Sequence, residues 1–298
     1  MLRYYNQIVS NGCTYSVDKI IIKGSFRSEV QVLDFWGETK TVPFLYEFQQ
    51  ILYRNEDVCI FQHYDGSGWM QYKDSWKVDF GNGAVAYFAF GLNGYSGADL
   101  TRWKVEFNPN KSLPNTVLEQ LIYFCSSNSS CPYVSEFDLA VDIPISRENF
   151  FLLKDKRKYQ LIMNSVEDRT EYLGSRHEMG FCKLYNKQIE SKLKEPMTRF
   201  EMTVSVDNSD AVVSFSDVLS RVPEIYYFDN YQLTHDELCL SGTDRVLLEY
   251  ALQNPVVLSM LSRRKADRIK GYLDNHICRL ELNQEILLQL YSWVVDLV

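Results

Sequence analysis

The sequence predicts an α+β protein: a mixed, mostly antiparallel β-sheet body with flanking helices, followed by a helical C-terminal region. Three observations predict it. Residues 15–108 hold successive runs of alternating apolar and polar residues, separated by Gly, Asn, Asp and Ser turns. A second set of such runs fills residues 135–206. From about residue 212 the apolar spacing changes from two to the three-and-four of helices.

The first set comprises TYSVDKIIIKG, SEVQVLDFW, GWMQYK, WKVDFG, GAVAYFAFG and TRWKVEFNP, each expected as a strand. A helix is expected near Asn115–Cys125, with Thr116 and Glu119 spaced as a capping box. SEFDLAVDI, KYQLIM, TEYLG, FCKLYN and TRFEMTVSV supply the later strands. Thr243 is placed to cap a helix carrying Val246, Leu247, Tyr250 and Ala251. One helical pattern runs over Pro255–Leu273, and a last helix from about Asn283 carries Leu287, Leu290, Val294 and Val298 on one stripe, either as core or as a dimer interface. The division is therefore a β-rich body over 1–211 and a helical region over 212–298.

With 298 residues, 46% of them hydrophobic, the chain can bury a substantial core. An aromatic content of 14% argues against disorder. The net charge of -8 means that any nucleic-acid binding must use a local basic surface. Seven cysteines form no C-x-x-C pair, so reduced, mostly core thiols are expected and a zinc site is not. The N-terminus lacks the apolar run of a signal peptide, and the longest apolar tract, Ile286–Val298, is broken by Gln289 and Asp296. A soluble, cytoplasmic protein with no membrane partner is expected.

The most informative stretch is Thr170–Glu190, TEYLGSRHEMGFCKLYNKQIE. In FCKLYNK the strand period of two puts Lys183, Tyr185 and Lys187 on one face. A phenol has a pKa near 10, so about 0.1% is ionised at neutral pH, and the flanking cations are expected to assist. Four acids interrupt apolar alternation: Glu106, Asp138, Asp142 and Glu201. Each alone is as well explained by a salt bridge on a sheet face; together they point to chemistry only where they converge. Asp138 and Asp142 are about 13 Å apart at strand rise. A single ion needs oxygens at roughly 2.0–2.6 Å, which favours Asp138 as the ligand and leaves Asp142 to support a ligand from behind or to serve the structure. Arg199 shares the face of Glu201 and is available to a phosphate or to that glutamate. Two basic clusters stand out, Lys154/Lys156/Arg157/Lys158 and Arg263/Arg264/Lys265/Arg268/Lys270.

Four segments in order, EFNPNK, FDLAVD, TEYLGSR…KLYNKQIE and TRFEMTV, resemble the Rep_trans family of plasmid rolling-circle replication initiators, as does the later TDRVLLEYALQNPVVLSMLSRRKADRIKGYL. The resemblance covers about residues 100–275. It implies that Tyr185 is the nicking tyrosine and that Glu106, Asp138 and Glu201 are ligands of a catalytic Mg²⁺ or Mn²⁺. It further implies a DNA nicking-closing enzyme that binds a plasmid double-strand origin and attaches through a 5′-phosphotyrosine. Such proteins act as homodimers and recruit a superfamily 1 helicase. Arg176, Lys183, Lys187 and Arg199 are then the candidates to neutralise the phosphate, and the 263–270 cluster the candidate DNA contact. Two positions depart from the family pattern: Glu136 stands where arginine is usual, and His177 with Glu178 where small polar or acidic residues are common. Two alternatives stand beside this reading: a conjugative relaxase of the same superfamily, or a non-catalytic DNA-binding regulator with the same fold. G-x-S-x-G, P-loop, G-x-G-x-x-G and H-E-x-x-H signatures are absent from the sequence.

Overall fold

The computed structural model describes residues 7–33, 36–65, 72–94, 97–165, 167–206, 213–228, 243–273 and 277–298. The chain opens with strands β1 (Ile8–Ser10), β2 (Cys13–Phe26), β3 (Glu29–Leu33) and β4 (Thr39–Pro43), then helix α1 (Phe44–Arg54). Strands β5 (Ile60–Asp65), β6 (Tyr72–Asp79), β7 (Val85–Gly94) and β8 (Gly97–Phe107) follow. Helices α2 (Pro109–Ser112) and α3 (Thr116–Ser127) lead into β9 (Ser129–Ile143) and β10 (Phe150–Leu152). Then come β11 (Tyr159–Met163), β12 (Arg169–Leu173), β13 (Cys182–Asn186), α4 (Lys187–Ser191) and β14 (Thr198–Ser205). The remainder is α5 (Phe215–Ser220), β15 (Ile225–Phe228), α6 (Thr243–Gln253), α7 (Val256–Met260), α8 (Arg263–Leu273), β16 (Ile277–Arg279) and α9 (Gln284–Val295).

The expected α+β class is the observed one. A large antiparallel sheet runs in the order β11-β12-β13-β14-β9-β2-β8-β7-β6-β5, with β1 on the side of β2. One face carries the alternate apolar residues Val17, Val105, Leu139 and Met202, buried together with Phe44 and Phe48 of α1, Leu121 of α3 and Leu290 of α9. The period-two pattern therefore delivers every intervening polar residue to the other face. A second cluster joins Phe151 of β10 to Leu248, Leu258, Ile269 and Leu273 of α6, α7 and α8.

Several local expectations change. The run read as strands throughout 15–108 contains α1, whose Phe44, Phe48, Ile51 and Leu52 have helical spacing and are buried. GWMQYK and WKVDFG do not give two strands: Tyr72–Asp79 is one, and residues 66–71 lie outside the described residues. The cap of α3 is Asn115, whose side chain accepts from the Leu118 amide; Thr116 is already helical. The single pattern over Pro255–Leu273 is broken at Leu261, which is extended, and the backbone restarts on the Ser262 carbonyl. Within the part read as helical, β15 pairs with β10 and β16 pairs with β15 in a small sheet. Asn283 does cap the last helix, and Leu287, Leu290 and Val294 are core while Val298 is exposed. The described cysteines are free thiols, with Cys239 outside the described residues. Among the described residues, no helix is long and apolar enough to cross a membrane.

Candidate active site

On the polar face, the β13–β14 register sets Lys183 opposite Glu201 and Tyr185 opposite Arg199. Diagonal neighbours in an antiparallel pair are within reach of long side chains. The Tyr185 hydroxyl accordingly donates to Oε1 of Glu201 at 2.6 Å, and the Lys183 ammonium holds Oε2 at 2.7 Å. Glu201 is 6% exposed. Burial pushes its carboxyl up, but the Lys183 charge and the hydrogen bonds from Lys183 and Tyr185 outweigh it, so the group sits below the ordinary glutamate value. Tyr185 moves the opposite way. Burial, then the Glu201 charge, raise its phenol well above 10. The expected cationic activation of the phenol is therefore not what surrounds it: Lys183 is engaged by Glu201, and a carboxylate takes the phenolic proton's hydrogen bond.

Lys187 does not continue the strand face. Asn186 ends β13 and caps α4 by accepting from the Ile189 amide, which makes Lys187 the first helical residue. Its ammonium pairs with Glu190 and lies 5.9 Å from the centre of the Tyr185 ring. Arg176 is exposed in the turn between β12 and β13, at the Cys182 end of the strand and away from Tyr185.

Arg199 is a brace. Its guanidinium grips both oxygens of Asp142 on β9 and also pairs with Asp18 on β2. The local cause is a bulge: the β2–β9 register slips between Val17 and Lys19, so Asp18 is the extra residue and turns toward Arg199 and Asn110. The bulge also brings Lys19 opposite Asp138. The Lys19 ammonium bonds Glu136 and lies 3.3 Å from Oδ2 of Asp138, whose Oδ1 accepts from Thr203 at 2.6 Å. Burial opposes the Lys19 charge, yet Asp138 and Glu136 raise its pKa. The two departures from the family pattern meet, with His177 Nδ1 3.3 Å from Oε2 of Glu136.

Sequence reading missed Asp18, Lys19 and Thr203. The adjacent pair Asp18-Lys19 inside an apolar strand was the available signal, since two consecutive polar residues break a period of two.

The three acids read as metal ligands are not gathered at one point. Asp138 and Glu201 are diagonal neighbours on β9 and β14, where Glu201 faces Ala140 and Thr203 faces Asp138. Glu106 is on β8, three strands from β14 and roughly 14 Å away laterally, paired with Lys104 at 3.0 Å. Among the described residues, no group of three or more His, Cys, Asp or Glu is placed to hold a metal ion. Asp138 and Glu201 are carboxylates of the kind Mg²⁺ or Mn²⁺ takes, and their oxygens are engaged by Thr203 and Lys19 and by Tyr185 and Lys183.

Of the 263–270 cluster, Arg263 pairs with Glu224 and Asp267, Arg268 with Asp244, and Lys270 lies 3.7 Å from the centre of the Tyr226 ring. Arg264 and Lys265 are exposed. In the other cluster, Arg157 pairs with Asp155.

No family model and no curated protein matches the chain. Among solved structures it is similar to the rolling circle replication initiator protein of Geobacillus stearothermophilus, with 15% identity and a TM-score of 0.40, over 82% of this chain and 98% of that chain.

Proposed function

We propose that this chain is a plasmid rolling-circle replication initiator that nicks and rejoins one DNA strand with Tyr185 as nucleophile. The observation that carries the reading is the hydrogen bond from the Tyr185 hydroxyl to an ionised, buried carboxylate, at a position that the motif resemblance makes the nicking tyrosine. That pairing of nucleophile and base is the arrangement covalent catalysis needs. Tyr185 keeps its proton at neutral pH, and Glu201 takes it as the Oη–phosphorus bond forms and the bond from phosphorus to the 3′-oxygen breaks. The leaving oxygen takes a proton from solvent. Lys183, freed from a neutralised Glu201, then faces the new phosphotyrosine. The reverse attack by a 3′-hydroxyl rejoins the strand without ATP.

In this reading Asp138 would hold the Mg²⁺ or Mn²⁺ while Glu201 is kept for the proton; the ion would supply charge for the scissile phosphate and the leaving oxygen. Origin contact is assigned to Arg264 and Lys265 of α8. Assembly as a homodimer and recruitment of a superfamily 1 helicase complete the proposal and rest on the motif resemblance, as does the assignment of residues 1–211 to nicking and 212–298 to origin recognition or dimerisation.

Supercoiled plasmid bearing the origin tests it. With Mg²⁺ or Mn²⁺ the wild-type protein should yield relaxed circles, and Tyr185→Phe should yield none. Equal relaxation by both proteins removes Tyr185 from the mechanism. Binding without relaxation by the wild type returns the chain to the regulator class.

A further inference from the structure

Glu106 stands apart from Asp138 and Glu201 and is paired with Lys104. It lines a recess of about 230 Å³ on the polar face of the sheet, together with Lys19, Tyr87, Lys111 and Ser112, over Val85 and Phe107. The register explains the grouping, because Glu106 is opposite Tyr87 on β7 and opposite Ile21 on β2. The volume equals that of roughly eight liquid waters, the scale of one flat ring system.

We propose that this recess binds one unpaired nucleobase bearing an exocyclic amine, such as cytosine, from the strand that the enzyme cleaves. The inference rests on the reading of the chain as a DNA-strand enzyme and adds a base-reading site to it. Each wall supplies a part. Tyr87 is half-buried and lines the recess, and an aromatic ring is a surface on which any base stacks. Glu106 holds Lys104 through Oε2, and its other carboxylate oxygen is an acceptor that selects a base edge that donates, as the cytosine amine does, over the thymine carbonyl. Lys111, which also lines the recess, suits a flanking phosphate, whereas Lys19 is held by Glu136 and Asp138. Beyond the recess Lys104 on β8, paired with Glu106, is opposite Lys23 on β2, and Arg102 on the same face is paired with Asp99. The recess is four strands from Tyr185, roughly 19 Å, so it receives a base several positions from the attacked phosphate.

Fluorescence anisotropy of labelled oligodeoxycytidylate and oligothymidylate tests this without any cleavage. The wild type should prefer the cytidylate by about tenfold, and Glu106→Gln should abolish that preference. Tyr87→Ala should weaken both by about tenfold, with a thermal unfolding midpoint near that of the wild type showing that the variant is folded. Equal binding of the two oligonucleotides by the wild type overturns the proposal, as does a preference that survives in Glu106→Gln. Loss of Mn²⁺ affinity in Glu106→Gln with base preference intact overturns it too, and returns Glu106 to the metal. Because nicking is not read, a wild type that shows the preference but never relaxes origin plasmid keeps the pocket and defeats the proposed function instead.

Discussion

The phenol of Tyr185 and the carboxylate of Glu201 share a hydrogen bond of 2.6 Å on neighbouring strands, and their proton affinities are driven apart: the phenol upward, the acid downward. Groups separated in this way divide the roles of proton donor and proton acceptor. Two consequences concern pH. A tyrosine that attacked as a free phenolate would give a rate rising tenfold per pH unit through neutrality. With Glu201 as base, the single-turnover nicking rate should instead be flat through neutrality and fall only in acid, below the ordinary glutamate value of about 4.3, as Glu201 protonates.

Stability follows the same carboxylate. Its folded pKa is depressed, so its contribution is present above the unfolded value of about 4.3 and is lost as pH falls through the folded value. Acid titration of urea stability should therefore show a decline in that window that is shallower in Glu201→Gln.

Replacing the base while keeping its shape isolates the chemistry. Glu201→Gln should lower the nicking rate by about 10²- to 10⁴-fold with origin affinity retained. Loss of origin affinity in equal measure, in a titration of binding, would mark Glu201 as structural.

Arg199 should behave as a brace across three strands. Removing one partner of a buried pair leaves the others uncompensated, so Arg199→Ala should lose about 3–5 kcal/mol in urea denaturation. Asp142→Asn should lose less, since Asp18 remains on the guanidinium. A stable Arg199→Ala protein that fails only in nicking would show direct phosphate contact instead.

A second buried pair ties the small sheet to the large one. Arg147 on the approach to β10 and Glu171 on β12 are both fully buried, 2.6 Å apart. Glu171 also accepts from the Tyr159 hydroxyl at 3.0 Å and the Leu152 amide at 3.3 Å, and that amide reaches Ser259 of α7. Glu171→Ala should cost about 3–5 kcal/mol and, in hydrogen exchange, release β10 and α7 together. Retained protection of α7 would show that the pair stabilises the large sheet alone.

Much of this was legible in the sequence because period two decides which face each residue of a half-buried strand occupies. That rule alone placed Lys183 and Tyr185 on one face of their strand, and Glu201 and Asp138 each opposite their own apolar neighbours. It failed where the chain leaves the strand or slips register. Lys187 was assigned to the face only because the pattern was carried one residue past Asn186, whose side chain caps a helix. The Asp18 bulge, and with it the contact of Lys19 with Asp138, depends on which strand lies beside β2. Strand order was equally hidden, and it is strand order that separates Glu106 from Glu201. Helix α1 was readable from Phe44, Phe48, Ile51 and Leu52, but it sits between strands and was absorbed into their pattern.

The α8 cations divide by their partners. Arg264→Ala and Lys265→Ala should each weaken origin binding and reduce the slope of log affinity against log salt by about 1. Arg268→Ala, which loses Asp244, should change thermal stability more than the salt slope.

The central claim is that one phenol among 20 tyrosines carries the covalent bond. Incubation with cleavable origin DNA and Mn²⁺, nuclease trimming and mass spectrometry of the peptides locates the nucleotide adduct directly. The account predicts a nucleotide on Tyr185 alone, and none in Tyr185→Phe. An adduct on any other tyrosine, or nicked DNA with no protein attached, would contradict it.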